Sequence, residues 1–187
     1  MKHTLLSLLM ALLPLAASAD AVEIGGIYYN LTQERQVAEV INNPGGYTGV
    51  VIIPESVEFE GKTYAVTSIG NEAFVGCVGL ASVTIPNSVT SLGNGAFLYC
   101  YGLTSVTIGN SVTKIGNSAF YGCSNLTSVT IGNSVTTLGE YAFEGCKSLT
   151  SIEIPYGVTS IKNNAFSACT SLSSIIVSKS ALATMNI

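Results

Sequence analysis

Residues 114 to 136 read KIGNSAFYGCSNLTSVTIGNSVT, and the next 23 read TLGEYAFEGCKSLTSIEIPYGVT. The shared phrase is aliphatic-x-x-x-Ala-Phe-x-x-Cys-x-x-Leu-x-x-aliphatic-x-aliphatic. It starts at Ile69, Leu92, Ile115, Leu138 and Ile161, always 23 residues apart. Within it Ala, Phe, Cys and Leu form columns without an exception, from Ala73, Phe74, Cys77 and Leu80 to Ala165, Phe166, Cys169 and Leu172. A period of this length constrains the fold more than any other feature. One copy is too short to bury its own apolar side, whereas stacked copies bury a continuous core, each touching only its neighbours.

Within each copy the strand is the easiest part to place. Ser82-Val83-Thr84-Ile85 alternates polar and apolar, the period of a half-buried strand. Its equivalents begin at Ser105, Ser128, Ser151 and Ser174. Such strands are expected to stack in parallel about 4.8 Å apart, with Val and Ile inward and Ser and Thr outward. The Ala-Phe-x-x-Cys segment lacks that alternation and is read as a short helical or 3₁₀ turn closing the coil. Pro-Asn and Gly-Asn pairs at 86–87, 109–110 and 132–133 mark turns. The fold class is therefore a solenoid, mainly β, of five 23-residue coils over residues 69–177.

The two ends depart from the phrase. Residues 1–19 have Lys2, an apolar run from Leu5 to Leu15 and small residues at Ala17 and Ala19. That order predicts a secretory signal peptide cleaved between Ala19 and Asp20. No later apolar stretch is long enough to span a bilayer. Residues 20–68 are expected to form an N-terminal β cap. Ile27–Leu31 and Gln36–Ile41 read as strands, Val50–Pro54 as a zeroth rung, and Val57–Val66 as a hairpin around Glu60-Gly61. After Val177 a tail of ten residues, 178–187, either folds over the last rung or leaves that edge to contact something else.

These columns resemble the BspA-type leucine-rich repeat, whose marks are the Ala-Phe-x-x-Cys core and the 23-residue period. Gly26-Ile27-Tyr28-Tyr29-Asn30, with Gly-Lys-Thr-Tyr-x-Val at 61–66, is similar to the caps that precede such repeats. The resemblance implies a leucine-rich-repeat solenoid in a secreted or surface protein of host-associated anaerobic bacteria. Some members bind host matrix proteins or mediate adhesion, and no catalytic motif is shared across the family.

The reagents of catalysis are scarce. The only His is His3 and the only Asp is Asp20, so neither Ser-His nor Cys-His pairs can form in the exported chain. Glu140, Glu144 and Glu153 read as solvated carboxylates. No enzyme, metal or cofactor is expected. The five cysteines form one inward column and read as a buried ladder of thiols rather than bridges, because stacked Cβ directions run parallel. Only 10% of the chain is charged, against about 25% in ordinary domains. Removing Lys2 takes the formal net charge from −4 to −5. Arg35 is the only arginine, which excludes nucleic acid as an expected partner.

What remains is the outward strand face: Ser82, Thr84, Ser105, Thr107, Ser128, Thr130, Ser151 and Glu153. Tyr99, Tyr101 and Tyr121 join it as candidate contacts, since exposed Tyr is favoured at interfaces. Tyr141 and Tyr156 also break the consensus around the turns. The expected function is binding or adhesion to a host or bacterial surface protein or glycan. The alternatives are end-to-end self-association and a plain solvated sheet.

Overall fold

The computed structural model describes residues 21–178. The expected signal peptide, its cleavage point at Ala19 and Asp20, and tail residues 179–187 lie outside them. The cap contains β1 (Val22–Ile24), β2 (Ile27–Thr32) and β3 (Val37–Val40). β4 (Gly49–Ile52), β5 (Ser56–Phe59) and β6 (Lys62–Ile69) follow. Each coil then adds a strand from one side and a two-residue strand from the other. These are β7 (Leu80–Thr84) and β8 (Ser91–Leu92), β9 (Ser105–Thr107) and β10 (Lys114–Ile115), β11 (Ser128–Thr130) and β12 (Thr137–Leu138). The last are β13 (Ser151–Ile154) and β14 (Ser160–Ile161), then β15 (Ser174–Val177).

Parallel pairing confirms that each copy is one rung. β7, β9 and β11 align Ser82 with Ser105 and Ser128, and Thr84 with Thr107 and Thr130. The second sheet runs β1-β2-β3-β6-β8-β10-β12-β14 and stacks Leu92 on Ile115 and Leu138. β4 is the zeroth rung, paired in parallel with β7, and β5–β6 form the hairpin around Glu60-Gly61. In β1–β2–β3 the chain reverses direction, which closes one end of the second sheet.

Between the sheets lies one core. Phe74, Phe97, Phe120 and Phe143 are fully buried, and their rings stack with Phe166 at centroid separations of 4.7 to 5.5 Å. Tyr47 closes the cap end of this stack, 4.5 Å from Phe74. Its hydroxyl accepts from the Tyr28 N–H at 3.0 Å and donates to the Ile41 carbonyl at 2.7 Å. The cysteines are unbridged, and four of them are buried. Each thiol from Cys100 onward donates to the Phe carbonyl of the preceding rung, 2.9 to 3.3 Å away.

The neutral polar coat also joins rungs. Asn71, Asn94 and Asn117 accept from the backbone N–H 23 residues on, and Asn87 and Asn110 do the same. Thr90, Thr104, Thr113, Thr127 and Thr136 donate to the carbonyl 23 residues back.

Two expectations need correction. The Ala-Phe-x-x-Cys segment is a run of turns, with no helix among the described residues. The residue before Ala and the residue before Cys both have positive φ in the coils, as in Ser118 (54°) and Gly122 (72°). A right-handed helix cannot contain two left-handed residues four apart. The segment's N–H groups instead bond along the stack, for example Phe97 to Ala119 and Phe120 to Ala142, both at 2.7 Å.

The outward sheet is also not continuous, since β13–β15 form a separate pair from β4–β7–β9–β11. Gly132 lies so near the turn before it that a Cβ there would stand 2.2 Å from the Gly109 carbonyl oxygen. The equivalent position in the next rung is Pro155, which carries a Cβ and no N–H. That turn cannot repeat the close approach, and the ladder between β11 and β13 stops there.

Candidate functional site

The structure arranges the candidate residues in two groups. The first is the outward face, where Thr84, Thr107, Ser128, Thr130, Ser151 and Glu153 are exposed and Ser82 and Ser105 half-buried. Three rungs hold the Ser and Thr columns in register, and the break at Pro155 separates them from Ser151 and Glu153. At that break lies a hollow of about 270 Å³ lined by Asn110, Thr130, Asn133, Glu153, Pro155 and Ser178. It offers hydroxyl, amide and carboxylate groups together. The sequence pattern named Thr130 and Glu153 but gave no sign that a missing ladder would open a space between them.

The second group is aromatic. Tyr99 lies 5.9 Å from Tyr101 and 5.5 Å from Tyr121, edge to face with the latter. Tyr99 is 42% exposed and Tyr101 47% exposed. Tyr99 occupies the left-handed position before Cys, with φ 60°, where Gly76, Gly122, Gly145 and Ala168 stand in other rungs. A left-handed conformation costs a non-Gly residue about 1–2 kcal/mol. Tyr99 also lies over Gly122, where an added Cβ would come within 2.8 Å of its ring. Val78, 61% exposed, holds the position one repeat before Tyr101. Tyr141 and Tyr156 are exposed but belong to neither group. The tyrosines stand on the turns and the Ser and Thr columns on the strands.

The region from Tyr64 to Met185 matches the BspA-type leucine-rich repeat region, in six copies over residues 64–185. The chain belongs to the BspA-type leucine-rich repeat family. It is similar to a leucine-rich cell surface protein of Faecalibacterium prausnitzii, at 35% identity and TM-score 0.73, over 86% of this chain and 43% of that one. A leucine-rich repeat protein of Bacteroides ovatus shares 35% identity, TM-score 0.74, over 83% of this chain and 40% of that one. The leucine-rich repeat protein of T. pallidum shares 28% identity, TM-score 0.73, over 82% of this chain and 70% of that one. The chain thus spans less than half the length of the first two. Among curated proteins none matches it.

Proposed function

We propose that this protein is an exported bacterial binding module, acting in adhesion at the cell surface or after secretion. It recognises a protein or glycan through its outward strand face and the tyrosine cluster beside it. Membership of the BspA-type family and likeness to a cell surface protein support that setting. The observation that carries the reading is Tyr99. Its backbone is held at φ 60° in a position that suits Gly, while 42% of the residue is displayed to solvent. Ala168 shares this left-handed position, so what sets Tyr99 apart is its displayed ring, from which the core gains little. Exposed Tyr on the turns and a hollow lined by hydroxyl, amide and carboxylate groups on the strand face are both chemistries by which sugars and polar protein surfaces are held.

The test is binding of purified residues 20–187 to an array of host matrix proteins and glycans. A variant with Thr107, Thr130 and Glu153 all changed to Lys serves as the control. A saturable signal that the variant loses is the expected result. Equal binding by the folded variant would remove the strand face from the site.

A second reading rests on β15, where Ile175, Ile176 and Val177 are all exposed. Two such ends meeting would make a self-associating surface component. Light scattering at high concentration tests it, and a strictly monomeric protein would count against it.

A further inference from the structure

A different surface lies at the other end of the solenoid. β4 is the first strand of the outward sheet, and its only strand partner among the described residues is β7. Ile53 directs its N–H to the Thr84 carbonyl on that side, at 3.0 Å. N–H directions alternate along a strand, so Val50 and Ile52 turn theirs to the opposite edge, which no strand of the described residues pairs. Their side chains are 69% exposed each, whereas Val51 and Ile53 between and beyond them are buried. Every later rung through β11 shows Ser and Thr in these columns. Alongside this edge is an open hollow of about 300 Å³, bordered by Gly25, Gly26, Asn43, Gly46, Thr48 and Ile52. It lies at the level of the strand that would precede β4.

The cap decides what size of occupant fits. β6 continues the coil that starts with β4, and β3, β2 and β1 already fill the next three strand positions of the second sheet. A whole second solenoid stacked on β4 would collide with them. A single extended segment would not.

The charge distribution selects its sign. From Ala21 to Glu72 the sequence has seven glutamates against Arg35 and Lys62, while residues 73–178 carry three acidic and three basic side chains. Glu23 stands at the hollow, accepting the Gly26 N–H at 2.7 Å, and Glu55 follows β4 directly.

We infer that the open edge of β4 is a docking site for an extended, basic segment of a partner polypeptide, which adds as one strand in the unfilled position. Such strand addition draws affinity from main-chain bonds and specificity from alternate side chains. Here small apolar residues of the guest would lie beside Val50 and Ile52, and its Lys or Arg would meet the acidic cap. The edge adjoins the strand face at Ser82 and Thr84, but its test reads main-chain addition to β4, so it can fail while the strand-face reading stands.

The probe is a fluorescein-labelled octapeptide of alternating lysine and valine, titrated against residues 20–187 and followed by anisotropy. Three further arms accompany it. One peptide is N-methylated at every second residue, one has Glu in place of Lys, and the protein arm is Ile52→Lys. Saturable binding of the parent peptide is expected, weakened by salt. A loss of about tenfold or more on N-methylation is expected, since each bond to the edge contributes net free energy. The Glu peptide should not bind, and Ile52→Lys should weaken binding comparably. Because Ile52 is exposed, the variant should keep the circular dichroism of the parent. The N-methylated peptide tests the edge with the protein unaltered. No saturable binding would overturn the inference, as would equal binding of the N-methylated peptide, which would reduce the effect to charge alone. Concentration-dependent dimerisation abolished by Ile52→Lys would also overturn it, by placing a second copy on the edge.

Discussion

The phenylalanine stack predicts a graded response to one substitution made at two rungs. Phe120 is fully buried, with parallel rings 5.1 Å away on both sides, Phe97 and Phe143. Phe120→Ala removes the ring from a site whose walls are neighbouring rungs held by backbone bonds at 2.7 Å, so collapse into the space is limited. The loss is expected at about 3–5 kcal/mol. Phe166 is only partly buried and has one ring neighbour, Phe143, at 5.5 Å. Its burial gains about half of a full side chain's, and Phe166→Ala is expected to cost about 1–2 kcal/mol. Urea unfolding followed by circular dichroism measures both. The reasoning fails if Phe166→Ala costs as much as Phe120→Ala, because the stack would then not be anchored at its middle.

Three further outcomes follow from the cap and the thiol column. Tyr47→Phe removes the hydroxyl that serves Tyr28 and Ile41, and a midpoint loss equivalent to about 1–3 kcal/mol in urea is expected; an unchanged midpoint would contradict that role. Thiol titration of the native protein should detect Cys169 at most, since Cys77, Cys100, Cys123 and Cys146 are buried, whereas urea should release all five; four or more reactive thiols in the native state would contradict the ladder. Alkaline pH should destabilise the fold. A hydrogen bond that the Cys77 thiol donates to Cys100, together with burial, raises Cys77, and burial raises Cys146 and Cys169, so these thiols keep protons that the unfolded chain releases from about pH 9. Burial likewise raises Tyr29 and Tyr47 from 10.0 to about 12. Raised folded values give stability that is complete below the unfolded values and lost as pH rises through the folded ones. The urea midpoint should therefore hold from pH 7 to about 8.5 and fall by pH 10.5, and a constant midpoint would refute the burial argument.

Much of this was legible in the sequence because the repeat forces equivalent residues into equivalent places. The Phe and Cys columns could only be core, and Val51 and Ile53 already alternated like the later strands. Glu60-Gly61 announced a hairpin, and both residues do adopt positive φ. The turn conformation was hidden because Glu72, Ser118, Tyr141 and Asn164 take left-handed φ without being glycine. A pattern of residue types does not show backbone that the stack imposes. The asparagines read as turn residues, yet their amide oxygens act between rungs, a role that exists only once the coils are stacked. Pro155 was visible as one more turn proline. Its effect needs the 2.2 Å approach at Gly132, which is a property of the neighbouring rung. In the candidate site the Ser and Thr columns were predictable from alternation. The contact of Tyr99 with Tyr121 joins positions 22 residues apart and required the rung register.

The central claim is that this solenoid binds through its strand face and the tyrosines beside it. The most direct measurement is the affinity of residues 20–187 for the strongest protein or glycan on the array, compared with a Tyr99→Ser, Tyr101→Ser variant and with the triple Lys variant. The account predicts saturable binding that both variants weaken about tenfold or more, as loss of interface anchors does, while both keep the parent's circular dichroism. Binding that survives both changes undiminished would contradict it.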